Sequence, residues 1–201
     1  MKKYIANAGA SLPERIVVLG CSAGGLAVLQ KILPCLSADY PFPILLVQHL
    51  PRIRGSRKLD VFQKYSQLEV IEAEINQPIM AGQIILAPPD YHLLVESENE
   101  LALSVDPPVH YSRPSIDVLF ESAAHVYAQR CIGVLLTGAN KDGAIGCLAI
   151  KRRGGFLLVQ QPETAEYPAM PEAALELVEA DVVADPLGIG KALNDLGSRH
   201  D

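Results

Sequence analysis

Short, continuous apolar runs punctuate this chain, and helix-compatible stretches separate most of them. The runs cover 16–20, 44–48, 68–73, 84–87, 132–137 and 156–160, are rich in Val, Ile and Leu, and are set off by Gly or Pro. Continuous rather than alternating hydrophobicity predicts strands buried on both faces of a parallel sheet. Between the runs, helices are predicted over 25–36, 56–65, 116–129, 144–153 and 171–179. Ser115 ahead of Ile116, with Asp117 in the first turn, suits a helix start. Strand alternating with helix predicts an α/β fold, a doubly wound and mainly parallel sheet with helices on both faces.

One stretch departs from the alternation. Residues 92–96 and 101–105 flank Ser97-Glu98-Asn99-Glu100, which reads as a hairpin and predicts an antiparallel extension. The segment 106–115 is rich in Pro and polar residues and is expected to be an ordered connecting loop. With no internal repeat and no domain-splitting linker, the 201 residues read as a single domain with a core over about 15–190. The first strand starts near Ile16, which leaves no room for a second domain upstream of it.

Composition changes this picture little. Hydrophobic residues make up 49% of the chain and charged residues 20%, as in ordinary globular proteins. The formal net charge is −6, and the basic groups Arg52-Ile53-Arg54, Arg57-Lys58 and Lys151-Arg152-Arg153 are too short for a nucleic-acid stripe. Cys21, Cys35, Cys131 and Cys147 are scattered without a C-x-x-C pair, which argues for small buried thiols in a reducing compartment and against a zinc site. Met1-Lys2-Lys3 could open a signal peptide, but no apolar segment follows it. No run approaches the roughly 20 apolar residues that span a bilayer. The expectation is a cytoplasmic protein that does not insert into membranes.

The strongest local signal is Gly20-Cys21-Ser22-Ala23-Gly24, between a predicted strand and a predicted helix. G-x-S-x-G in that context makes a sharp turn that lifts a serine hydroxyl out of the chain. The following helix aims free amides and a partial positive charge at the site, and the Ala23 amide is placed to stabilise an oxyanion. A phosphate-binding turn and a plain tight turn are the competing readings. Ser22 stands where a dinucleotide fingerprint needs its second Gly, and no G-K-[ST] is present. Cys21 is a rival nucleophile, better read as a buried thiol.

A serine needs a base, and the base needs an orienter. Catalytic groups of a parallel sheet gather at the carboxyl ends of its strands. His49 directly follows the run 44–48 and is the best placed base, with His92, near the end of 84–87, as second candidate. His92 also reads as a polar cap on a strand end. His110 sits in the connecting loop, His125 within a helix and His200 in the tail. The order Ser, acid, His of common α/β-hydrolases fails, because only His200 follows the acid; the order here is Ser, His, Asp. Asp142, on the turn Gly138-Ala139-Asn140-Lys141-Asp142-Gly143 after a third strand, is the candidate acid, or else a cap on the next helix.

The blocks V-V-L-G-C-S-A-G-G-L, L-L-V-Q-H-L-P, I-L-A-P-P-D-Y-H, Y-S-R-P-S-I-D-V-L-F, L-L-T-G-A-N-K-D-G-A and Q-P-E-T-A-E-Y-P-A-M-P-E-A-A together resemble the catalytic domain of CheB-type protein-glutamate methylesterases. The resemblance covers roughly Arg15 to Glu179. It implies a serine esterase that removes methyl esters from glutamyl side chains of chemoreceptors, in some members also deamidating glutamines, with no cofactor and no metal. Its triad falls on Ser22, His49 and Asp142, and a further oxyanion amide near Ala139. Many members carry Met where Ala139 stands and Gly where Asn140 stands. Members often carry an N-terminal receiver domain, which these 201 residues lack. That leaves control by a separate regulatory protein, constitutive activity, or a pathway other than chemotaxis. The methylated chemoreceptor or a similar signalling protein is the expected partner. A binding module without hydrolysis and an esterase for small molecules are the competing functions.

Overall fold

A computed structural model describes residues 13–49 and 57–198, apart from the side chains of Arg57 and Lys58. The segment 1–12, the Arg52-Ile53-Arg54 run, Ser56 and His200 fall outside the described residues.

Seven parallel strands form one sheet: β1 (Ile16–Cys21), β2 (Ile44–Gln48), β3 (Glu69–Glu72), β4 (Gln83–Leu86), β7 (Cys131–Leu135), β8 (Phe156–Gln160) and β9 (Val182–Ala184). β5 (His92–Ser97) and β6 (Glu100–Ser104) pair antiparallel in a sheet of their own. The large sheet runs β3-β4-β2-β1-β7-β8-β9. The chain winds outward from β1 in one direction, then returns to its other side at β7. The gap between β1 and β7 is therefore the switch point, where parallel sheets place their sites beyond the carboxyl strand ends.

The apolar runs are continuous because each strand feeds two cores. Along β1, Ile16 and Val18 face one cluster, while Val17, Leu19 and Cys21 face the other. The first cluster is covered by α3 (Ile116–Tyr127), α4 (Ala144–Arg152), α5 (Ala169–Leu177) and the hairpin, through Phe120, Ile150, Met170 and Leu93. The second is covered by α1 (Gly25–Ile32), α2 (Arg57–Gln63) and α6 (Pro186–Ser198), through Leu29, Phe62 and Leu193. The doubly wound arrangement predicted from sequence is the one observed. β9 and α6 were not foreseen, and α5 starts at Ala169 rather than 171. Among the described residues, no helix is long and apolar enough to cross a membrane.

Candidate active site

Three strand ends meet at the switch point. Ser22 follows β1, and its amide donates to the Thr137 carbonyl beyond β7 at 2.9 Å. His49 follows β2 and donates its amide to the Cys21 carbonyl at 3.0 Å, extending the ladder by one step. Gly24, at φ 77°, makes the left-handed turn into α1. A Cβ on Gly25 would lie 2.5 Å from Gln48 Oε1 and 2.8 Å from Cys21 Sγ, so only glycine lets the turn close against β2.

The His49 ring stands between the other two side chains. Its Nδ1 lies 3.2 Å from Ser22 Oγ, and its Nε2 lies 3.0 Å from Asp142 Oδ2. If the serine hydroxyl donates to Nδ1, the ring proton sits on Nε2, facing the carboxylate. That second contact is close but off-line: Nε2 has no partner in strict hydrogen-bond geometry. His49 keeps 13% of its side-chain surface exposed, while Asp142 keeps none.

A fully buried carboxylate needs donors, and the first turn of α3 supplies them. Asp142 Oδ1 accepts the Ser115 hydroxyl at 2.8 Å and the Asp117 amide at 3.0 Å; Oδ2 accepts the Ile116 amide at 2.8 Å. Burial pushes the Asp142 carboxyl up, but these bonds and the contact with His49 outweigh it and hold it below the ordinary carboxylate range. The helix start recognised from Ser115 and Asp117 therefore serves as an anion cradle as well as a cap. Asp142 itself is set by an Asx turn, its amide donating to Asn140 Oδ1 at 3.1 Å.

His92 is held away from the serine in a structural role. Its Nδ1 accepts the Ser115 amide at 3.2 Å, which leaves Nε2 to donate to the Pro107 carbonyl at 3.2 Å. It props the loop that starts α3. Cys21 turns its thiol into the sheet and donates to Gln48 Oε1 at 2.6 Å. Burial pushes that thiol far up, so it carries no thiolate at neutral pH. Cys131 and Cys147 are buried thiols too, while Cys35 is half-buried.

Two residues escaped the sequence reading. Gln48 donates to the carbonyls of Ser22 at 2.8 Å and His49 at 3.1 Å, fastening nucleophile turn and base together. Thr137 Oγ1 donates to the Ala23 carbonyl at 3.0 Å and accepts the Tyr167 amide at 3.0 Å. The signal for both was their place at the strand ends beside Ser22 and His49. A groove of about 400 Å³ opens over the site, lined by Ser22, Ala23, Leu26, Gln30, Gln48 and His49 among others. Ala139 is exposed at the turn after β7.

Known proteins resemble this chain in sequence and in fold. The CheB methylesterase family model matches residues 17–193. A Leptospira interrogans relative is 43% identical over 167 residues, 83% of this chain and 86% of that protein. A Symbiobacterium thermophilum protein named protein-glutamate methylesterase/protein-glutamine glutaminase is 39% identical over 185 residues, covering 92% of this chain but 51% of that longer protein. The crystal structure of the Thermotoga maritima CheB methylesterase catalytic domain superposes with a TM-score of 0.86 at 32% identity, covering 90% of this chain and 98% of that one. Family match, relatives and architecture agree: the chain belongs to the CheB methylesterase family.

Proposed function

We propose that this chain is a cytoplasmic serine esterase that removes methyl esters from glutamyl side chains of a chemoreceptor or similar signalling protein. The observation that carries the reading is the ring of His49 bridging Ser22 Oγ at 3.2 Å and Asp142 Oδ2 at 3.0 Å. Residues from about 15 to 190 would act as one catalytic domain.

Ser22 Oγ attacks the ester carbonyl as His49 Nδ1 takes its proton. The imidazolium is then stabilised through Nε2 by Asp142. The Ala23 amide, with a second amide at Ala139, receives the charge on the carbonyl oxygen. His49 returns the proton to the departing methoxide, releasing methanol. Water, deprotonated by the same ring, cleaves the glutamyl-enzyme to free carboxylate and serine. A glutamine amide would follow the same path with ammonia leaving, in keeping with the paired name of the Symbiobacterium relative. The serine, the ring and backbone amides carry every step, so the chemistry calls on no metal or organic cofactor. A side chain presented by a folded protein suits the open groove.

Methanol release from methylated receptor, compared between the natural protein and Ser22→Ala, tests the reading. Abolished release, together with fluorophosphonate labelling at Ser22 in the natural protein alone, is the expected result; undiminished hydrolysis by Ser22→Ala removes the serine from the mechanism.

A further inference from the structure

A second carboxylate stands behind the candidate acid, and the acyl-transfer chemistry gives it no task. The Asp117 amide donates to Asp142, but its side chain turns the other way. Oδ1 accepts the Gly146 amide in the first turn of α4 at 2.8 Å, and Oδ2 lies 3.5 Å from His110 Nε2. The side chain is 6% exposed, that of His110 35%. A Cβ on Gly146 would run into Phe120, so α3 and α4 approach one another closely at this point.

His110 is held there by an unusual turn. His110 and Tyr111 have φ of 48° and 62°, left-handed values that side chains with a Cβ avoid. Paired backbone bonds between Val109 and Ser112, at 3.1 and 2.8 Å, close the turn around them. The groups facing Asp117 are Asp142 from the β7–α4 turn, His110 from the 106–115 loop and the Cys147 thiol of α4. His92 of β5 reaches the same helix start through the Ser115 amide, and His49 lies beyond Asp142.

We propose that Asp117 is a positioning residue for the esterase site, locking the first turns of α3 and α4 together so that the donors to Asp142 stay aimed, with His110 offsetting its charge. The inference rests on the serine-esterase reading above. Burial pushes the Asp117 carboxyl up to about 6, the Gly146 amide opposes that, and the charge of Asp142 adds to it. At neutral pH two anions therefore share one pair of helix starts, and the ring of His110 stands within reach of the second.

The test is the rate of fluorophosphonate labelling at Ser22, followed from about pH 5 to about pH 9. Asp117→Ala should label about tenfold more slowly or worse, the scale of a small misplacement. Asp117→Asn keeps an oxygen for the Gly146 amide and should recover to within about threefold. Its acid limb should move to lower pH, because a negative charge that favours the protonated imidazole is gone. His110→Gln should slow labelling alone and add nothing to Asp117→Asn. Asp117→Ala labelling at the natural rate overturns the proposal, as does Asp117→Asn with an unmoved acid limb; the latter decides alone if Asp117→Ala does not fold. A natural protein that leaves Ser22 unlabelled counts against the esterase reading instead. Amide exchange at Ile116 and Asp117, which needs no turnover, then decides the positioning claim: protection lost in Asp117→Ala and kept in Asp117→Asn supports it, and protection equal in all three proteins overturns it.

Discussion

The Ser115 hydroxyl donates to Asp142 Oδ1 at 2.8 Å while accepting the Val118 amide at 3.4 Å. One side chain thus caps α3 and solvates the buried carboxylate. Ser115→Ala removes both bonds and leaves Asp142 short of a donor. The expected cost is about 1–2 kcal/mol of stability, visible as a lower unfolding midpoint, with slower ester hydrolysis. A fully active, equally stable variant would show that the Ile116 and Asp117 amides suffice.

Gln48 joins Cys21, Ser22 and His49 through one amide group. Gln48→Leu keeps approximate volume but leaves the carbonyls of Ser22 and His49 without that donor. We expect roughly tenfold slower hydrolysis with the sheet intact by circular dichroism. Gly25→Ala should do the same from the other side, its methyl pressing on Gln48 Oε1 and Cys21 Sγ. Wild-type rates in both would detach Gln48 from the site.

These partners mark where sequence reading stops. The parallel sheet was legible because strands feeding two cores must be apolar throughout, as over residues 44–47. The meeting of Ser22, His49 and Asp142 was legible because Ser22 and His49 directly follow such runs and Asp142 lies on the turn after a third, with the turn glycines announcing the bends. Gln48 was not, because its role depends on β1–β2 register, which sets Cys21 against Gln48. Helix α6 was hidden by its glycines. A Cβ on Gly190 would lie 2.8 Å from Cys35 Sγ, and one on Gly197 2.7 Å from the Tyr40 ring, so close packing replaced helix propensity there. β9 has only three residues, none of them fully buried.

The thiol beside the nucleophile should be inert. Cys21 is fully buried, its S–H is donated to Gln48, and burial pushes it far above the usual thiol range. Iodoacetamide should leave Cys21 unmodified in the native protein and modify it after unfolding, as mass spectrometry of peptides would show. Half-buried Cys35 should react first. Rapid native alkylation of Cys21 would reopen it as a nucleophile.

Asp117 should make stability fall as pH rises. Its native carboxyl is raised from 3.8 to about 6, chiefly by burial, so the folded chain holds this proton more tightly than the unfolded one. The contribution is complete below the unfolded value and is lost as pH climbs through about 6. For a group this buried the full loss is on the order of 3 kcal/mol. Asp117→Asn keeps an acceptor for Gly146 and cannot ionise, so it escapes that loss. The variant's advantage in unfolding midpoint should therefore grow from about pH 4 to about pH 7, by roughly 5 °C or more. Asp142, held low by its donors, acts in the opposite sense, losing its contribution below the ordinary carboxylate range, and it does so in both proteins. Calorimetry at both pH values decides the matter: a difference that stays flat would mean the Asp117 carboxyl titrates as in the unfolded chain. A growing one would mean that the fold tolerates a charge here at its own expense, as expected of a group kept for what it positions.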